Sequence, residues 1–434
     1  MGAGGKAARG HAPRPQAQSA ETPYLLVVPE QTPTPRKILL IDADAFFVAV
    51  ARMIDPDGAG RTPLLIVGGS AEGRGVVCSA SYEARKFGVR SAMPMARALR
   101  LCPHAMCVPV PRGACSTKHR EIRVVLDRFA PVVQAASIDE WYLDLGGTDA
   151  VYAGALLDAI AHRIRDAVVR ETGLTVSIGG GTSKLVAKLA AERAKPTPGS
   201  NANGVNVVAP GDELTFMRQL SLADIPGIGP KTTARLVERG LRTVEDVLAR
   251  DDAALVRLAG RRDAEWLAQR VRGIDDSEVE ERDVAKSISR DETFAVDIDD
   301  TLLLEGELTE LVGRAGTNLR SDALTARTIT VRIRDKDFTT RQASRTMDEP
   351  LASDRGIYTV ARELLHKLRG ARRVPARLLG IGLSNFTGPA ATQLALFAPQ
   401  RAPIETPKDR ALSRAVDAVR ERFGPQAIAP GRKR

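Results

Sequence analysis

Two short stretches carry more acid than their surroundings explain. IDADAFF, residues 41–47, holds Asp42 and Asp44 at the end of an apolar run, and SIDEWYLDL, residues 137–145, holds Asp139, Glu140 and Asp144. As a strand, the second would put Ile138, Glu140, Tyr142 and Asp144 on one face, with Ser137, Asp139, Trp141 and Leu143 on the other. An unpaired carboxylate in a core costs on the order of several kcal/mol, so these acids end at water or meet positive charge. Two apolar strands ending in carboxylates predict a shared divalent site. Ligands that are all oxygen suit Mg²⁺ or Mn²⁺, and the lack of nearby His or Cys argues against zinc. Two such ions about 4 Å apart would activate an attacking hydroxyl and steady a leaving pyrophosphate. The competing reading is a set of solvated strand-end acids.

SYEARKFGVRSAMP, residues 81–94, supplies the complement, with Tyr82, Arg85, Lys86 and Arg90 close together. Tyr82 and Arg85 stand one helical turn apart. A hydroxyl and a guanidinium at that spacing hold a triphosphate, because guanidinium pairs bidentately with phosphate oxygens. An ordinary basic helix with a half-buried tyrosine would have the same letters.

Several elements must position these groups. RKILLIDADAFF predicts a buried strand over residues 38–42, and PLLIVGG (63–69) and GVVCSAS (75–81) predict two more. Helical patterns cover 116–129 and 150–171, and LTVSIGGG (174–181) reads as a strand leading into the helix KLVAKLAAERA. A second unit opens near residue 205, where IPGIGPKTTARLVERGLRTVEDVL joins two short helices through a glycine-containing hairpin. From about residue 286 the order strand, helix, strand, strand, helix, strand matches a split βαβ sandwich. Residues 1–35, rich in Gly, Ala, Pro and Gln, read as a disordered lead-in, and the Pro-rich end holds one amphipathic stretch, LSRAVDAVRERF.

A chain of 434 residues exceeds one ordinary core, so two to four domains are expected. The net charge of +10 points to a polyanionic partner, with a merely well-solvated surface as the alternative. Cys78, Cys102, Cys107 and Cys115 show no CxxC spacing, so disulfides and zinc are not expected and a reducing cytoplasm fits. No apolar run approaches the roughly 18 residues that span a membrane, and the first residues lack the apolar core of a signal peptide. A cytoplasmic protein is expected.

IDADAFF, VVCSASYEARKFGVRSAMP, SIDEWYLDLGG, SIGGGTSKLVAKLAAERAKP, IPGIGPKT and RLLGIGLSNF, in that order, span about residues 36–388. Together they resemble the Y family of translesion DNA polymerases, of the bacterial DNA polymerase IV branch. The resemblance implies a multidomain α+β fold: a right-hand polymerase with palm, fingers, helix-hairpin-helix thumb and split-βαβ little finger. The implied boundaries are palm 36–45 and 112–202, fingers 46–111, thumb 203–278, linker 279–288, little finger 289–388 and tail 389–434. It implies Asp42, Asp139 and Glu140 as catalytic metal ligands, with the backbone carbonyl of Ala43, for two Mg²⁺ ions or Mn²⁺. Tyr82, Arg85 and Lys195 would bind the incoming deoxynucleoside triphosphate. Phe47 would be the steric gate beneath the sugar, with Phe46 beside it as a second candidate. Val76 and Cys78 would roof the nascent base pair, small enough to accept damaged template bases. Asp44 and Asp144 fall outside the catalytic set and read as structural. The chain departs from the family where Ala51 replaces a Glu, Cys115 a Tyr, His119 a Ser and Trp141 a smaller residue. Those departures bear on fidelity and nucleotide preference. A catalytically silent, clamp-tethered scaffold of the same fold is the alternative, and the three standing acids argue against it.

For primer–template DNA, the PGIGPK hairpin resembles a helix-hairpin-helix, whose Gly227 and Gly229 let backbone N–H groups approach a phosphate, with Lys231 next to them. A plain helix-capping turn is the alternative. Ile329, Val331 and Ile333 alternate with Thr330, Arg332 and Arg334, and Arg341 and Arg345 share a face of the next strand. An outward basic sheet built from these arginines would lie along a phosphate backbone. In the tail, Gln393, Leu394, Leu396 and Phe397 of QLALF resemble the motif that docks on the bacterial sliding clamp, and exposed Leu and Phe are costly without a receptor. A monomer is expected.

Overall fold

A computed structural model describes residues 1–2, 35–196, 202–281, 285–388, 403–424 and 427–428. Residues 3–34 of the expected disordered lead-in and the QLALF motif lie outside these residues.

The central sheet is built on β1 (Ile38–Ala43), every residue of which is buried. A strand apolar on both faces must be covered on both. The chain then runs through α1 (Phe46–Ile54), β2 (Leu65–Gly68), β3 (Val77–Ala80), α2 (Tyr82–Lys86), α3 (Met95–Leu101) and β4 (Met106–Val108). Next come α4 (Arg112–Leu126), β5 (Val132–Ala135), β6 (Glu140–Asp144), α5 (Leu157–Thr172), β7 (Val176–Gly181), α6 (Lys184–Ala194) and β8 (Val205–Val207). The five-stranded sheet has the order β5-β6-β1-β7-β8, with β1 antiparallel to both neighbours. Leu39, Ile41, Trp141 and Leu143 pack on one face against α1, α4 and α5. Ile38, Leu40 and Tyr142 pack on the other against Ala187 and Ala191 of α6.

Two expectations change here. β8 pairs with β7, so the segment near residue 205 closes this sheet instead of opening the next unit. The helix expected from residue 150 begins at Leu157, because residues 148–155 form turns with positive φ at Ala153 and Gly154.

β3-β2-β4 form a separate three-stranded sheet, with α2 and α3 packed around Ile66, Val77 and Ala80. A helical unit follows: α7 (Glu213–Met217), α8 (Pro230–Glu238), α9 (Val244–Leu248), α10 (Asp252–Ala259) and α11 (Arg261–Arg270). Its core centres on Leu220, Ile225, Leu236, Leu241 and Leu267. The connecting segment runs along the first sheet: Val279 is buried with Ile38 and Leu40, and Arg123 pairs with Glu281 at 2.5 Å.

The last sheet comprises β9 (Ser287–Ile298), β10 (Thr325–Asp335), β11 (Thr340–Leu351) and β12 (Ala376–Thr387), in the order β11-β10-β12-β9. The helices α12 (Thr301–Ser321) and α13 (Asp354–Ala371) cover one of its faces. This is the expected split βαβ order. The amphipathic stretch beyond it forms α14 (Pro407–Phe423), opened by Thr406 and Asp409 in a reciprocal cap. It docks on the preceding unit: Arg320 binds both Asp354 and Asp417, and Ser413 Oγ accepts the Asp354 N–H at 3.1 Å.

Candidate active site

The two acidic stretches meet on the α6 face of the central sheet. Asp42 and Glu140 are direct cross-strand partners, and the Ala43 amide donates to the Asp139 carbonyl at 2.9 Å. Like charges opposed on neighbouring strands repel, so the pair requires cations. α6 supplies two. Lys195, at its C-cap, reaches Asp42 Oδ2 at 2.9 Å, and Lys188 contacts both Glu140 oxygens at 2.7 and 2.9 Å. Lys188 was not singled out in the sequence, where a helical lysine reads as solvated surface.

SIDE does not end a strand. The Ala136 N–H donates to Glu140 O at 2.9 Å, so residues 136–139 turn the β5–β6 hairpin and Glu140 opens β6. Side-chain alternation therefore starts only at Glu140. Within the turn, Ser137 Oγ donates to Asp139 Oδ1 at 2.5 Å. The other two acids have local partners. Ser177 Oγ donates to buried Asp44 Oδ1 at 2.7 Å, and the Gly146 amide caps Asp144 at 2.8 Å. Among the described residues, no three acidic, His or Cys side chains converge on one metal-binding point.

α6 sits so close because β7 is glycine-rich. A Cβ on Gly179 would lie 2.1 Å from both Ala187 O and Ala191 N. β1 passes to α1 through Asp44 and Ala45, and Ala45 takes a left-handed φ of 45°, which is unusual for a residue with a side chain.

Burial holds the Asp42 carboxyl up to about 6; Lys195 pulls against it and Glu140 adds to it. Burial pulls the Lys195 ammonium down, but Asp42 and Glu192 outweigh it and leave it above the ordinary lysine value. An acid raised on folding favours the folded state most below its unfolded value and loses that contribution as pH rises to its folded value. In the metal-free protein, the Asp42 contribution therefore declines as pH rises from 3.8 to about 6. Asp42→Asn is expected to gain melting temperature relative to wild type across that window. A difference flat in pH would mean that Lys195 cancels the cost of burial.

The other expected groups are distributed as follows. The Arg85 guanidinium lies 5.4 Å from the Tyr82 ring centre and donates to Ala80 O at 2.9 Å, which ties α2 to the end of β3. Burial, then Asp44, pushes the Tyr82 hydroxyl up. Val76 and Cys78 are both exposed. Phe47 is partly buried between two cores, edge-on to Phe46 at 5.6 Å. Phe46 corrects an expectation: only 2% exposed, its ring belongs to the core and is closed to a nucleotide. It shares the inner face of α1 with Val50, one turn on.

In the helical unit, Gly227 has φ 96° and a Cβ there would strike Trp266 at 2.8 Å, so glycine is needed for the turn. Gly229 caps α8, and exposed Lys231 stands in its first turn. In the last sheet, Ile329, Val331 and Ile333 are buried while Arg332 and Arg334 take the alternate face. Arg341 and Arg345 do not join them. They register with Ile333 and Ile329, on the helix-covered face, where Arg341 pairs with buried Asp335 at 3.0 Å and Arg345 with Glu363 of α13 at 2.7 Å. β11 is an edge strand, so long side chains on its covered face reach around the helices to polar partners.

No helix among the described residues is long and apolar enough to cross a membrane. The sequence profile of the impB/mucB/samB family matches residues 41–192, and that of its C-terminal domain matches residues 285–396. A SAM-like helix-hairpin-helix tandem matches residues 220–265. The DNA polymerase IV of Dehalococcoides mccartyi (strain CBDB1) is 35% identical over 397 residues, covering 92% of this chain and 97% of that one. The DNA polymerase IV of Methanoculleus marisnigri is 38% identical over 365 residues, covering 83% and 97%. Among solved structures, a Y-family DNA polymerase chimera of Dbh with a Dpo4 segment superposes with a TM-score of 0.72 at 27% identity, covering 81% of this chain and 99% of the chimera. An insertion ternary complex of Dbh DNA polymerase gives 0.57 at the same identity and coverages. With the acids, the helix-hairpin-helix and the split βαβ unit in this order, the chain belongs to the Y family of DNA polymerases and is a DNA-directed DNA polymerase of the translesion class.

Proposed function

We propose that the chain adds deoxynucleotides to a primer at the Asp42–Glu140 register, by metal-assisted attack of the primer 3′-hydroxyl on the α-phosphate. The observation that carries this reading is the pairing of Asp42 with Glu140, with the Asp139 carbonyl bonded to Ala43 beside them. The donor set fits Mg²⁺ or Mn²⁺: Asp42, Asp139, Glu140 and the Ala43 carbonyl offer only oxygen, and the opposed carboxylates call for positive charge. Divalent ions bound there would lower the hydroxyl pKa and neutralise charge on the leaving pyrophosphate.

The chain's own residues do the positioning. Lys195, Tyr82 and Arg85 hold the triphosphate, Lys195 exchanging Asp42 for phosphate oxygen. Cys78 and Val76 lie over the nascent pair, and their small, exposed side chains suit damaged template bases. Gly227, Gly229 and Lys231 grip a phosphate of the duplex, and Arg332 and Arg334 another stretch of backbone. The insertion ternary complex of the related Dbh DNA polymerase supports primer–template DNA and a deoxynucleoside triphosphate as partners. The protein works as a cytoplasmic monomer, and Gln393, Leu394, Leu396 and Phe397 dock it on the sliding clamp.

Primer extension tests the set. With Mg²⁺ and four deoxynucleotides the full chain should extend a primer, and loading the clamp should lengthen the products. Replacing Gln393, Leu396 and Phe397 with Ala should remove only the clamp-dependent gain; a retained gain would overturn the docking. Phe47, partly buried beside Phe46, is the gate that closes the space beneath the sugar in this reading. Phe47→Ala should narrow the preference for deoxynucleotides over ribonucleotides by about 10²-fold, and an unchanged ratio would place discrimination elsewhere.

A further inference from the structure

His119 and Trp141 meet beside the acidic turn. His119 lies on α4, one turn beyond buried Cys115, which packs in the same core as Trp141. Its Nδ1 is 2.9 Å from the carbonyl oxygen of Ile138. A carbonyl only accepts, so Nδ1 carries the proton and donates. The ring also stacks on Trp141, with centroids 5.0 Å apart and planes 25° apart, and Trp141 is fully buried. Ile138 immediately precedes Asp139, and Trp141 immediately follows Glu140. One imidazole thus brackets the acidic dipeptide, by a hydrogen bond on one side and a stack on the other.

We propose that His119 is a positioning residue for the catalytic turn, fixing Asp139 and Glu140 toward Asp42 from the far side of the sheet through Ile138 and Trp141. The inference rests on the metal-site reading above. Besides the Ala136 and Ser137 N–H groups that close the turn on Glu140 O at 2.9 and 3.3 Å, the acidic dipeptide's backbone is held by the Ala43 N–H on the Asp139 carbonyl, and the Ser137 hydroxyl belongs to the turn itself. A ligand loop loosened at its outer support binds its ion more weakly while the fold stays intact.

The test compares wild type, His119→Phe, His119→Asn and Asp139→Ala as full chains. Phe keeps a ring on Trp141 and removes the donor; Asn restores a donor near the position of Nδ1 and removes the ring. Three quantities are read: the Mg²⁺ concentration for half-maximal single-turnover insertion, the melting temperature, and amide exchange at residues 136–140 without metal. His119→Phe should raise the Mg²⁺ requirement about 10-fold and speed exchange in the turn, with melting close to wild type. Asn should recover much of the Mg²⁺ requirement. Unchanged Mg²⁺ dependence and exchange in His119→Phe, with Asp139→Ala inactive, would overturn the positioning role and leave the metal site standing. An active Asp139→Ala would instead remove the metal-site reading itself.

Discussion

Replacing Asp139 with alanine is expected to slow primer extension by about a thousandfold or more, roughly 4 kcal/mol of lost transition-state stabilisation. The expected size follows from the placement of Asp139. Its backbone is fixed by Ala43, which holds the turn that carries its carboxylate next to the Asp42–Glu140 pair at one end of the central strands. The same placement predicts a small structural cost. Asp139 is not in the core, and the one side-chain bond it loses is to Ser137, in its own turn. Melting temperature and primer–template affinity should therefore stay near wild type while turnover disappears. A near-normal rate in this variant would sink the assignment of the acids. A collapse in melting temperature would make Asp139 a folding residue instead.

Gly179→Ala is expected to fail for a different reason. The added methyl would enter the backbone of α6 at Ala187 and Ala191, and backbone cannot rotate out of the way as a side chain does. Overpacking of this kind costs about 3 kcal/mol, and relief requires α6 to lift from the sheet. Lys188 and Lys195 would move with it, and a displacement of about 1 Å at a positioning group can cost about 10²-fold in rate. Gly180→Ala is the control. Its nearest neighbours are side-chain atoms of Val207 and Leu39, at 2.8 and 3.0 Å, and a side chain can rotate where backbone cannot. Thermal melting and single-nucleotide insertion should rank Gly179→Ala well below Gly180→Ala. Equal behaviour of the two would show that the close seat of α6 does not set the position of its lysines.

These two residues also mark how far the sequence alone could go. The acids were legible because charge at the end of an apolar run is locally costly; the close seat of α6 on Gly179 was not, because glycines on a strand do not say what crosses them. The split βαβ order was legible because periods of 2 and 3.6 alternate cleanly along residues 286–388. What failed needed distant partners. Alternation in β11 separates two faces but does not reveal which one the helices cover, so Arg341 and Arg345 read as solvent-facing although they register with buried Ile333 and Ile329. Lys188 looked like any lysine on a helix until β6 brought Glu140 beneath it. Phe46 and Phe47 are adjacent letters of one kind, and only the roll of α1 against two cores buries one and leaves the other partly open. The four-residue hairpin turn that carries Asp139 went unread because nothing in SIDE distinguishes a turn from the start of a strand.

α6 has one more property, which concerns counting. Lys188 and Lys195 are seven positions apart, just under two turns of helix. A helix converts sequence number into angle, so the two ammonium groups leave the same side only while that count holds. Deleting or inserting one residue between them would swing Lys195 by about 100° around the axis and shift it about 1.5 Å along it. Such a change would alter composition and helix propensity very little, yet it would turn the lysine away from Asp42. Among natural variants of this stretch, length should therefore be far more constrained than identity at the positions facing solvent. Substitutions there can accumulate, whereas an insertion or deletion of one residue should be rejected.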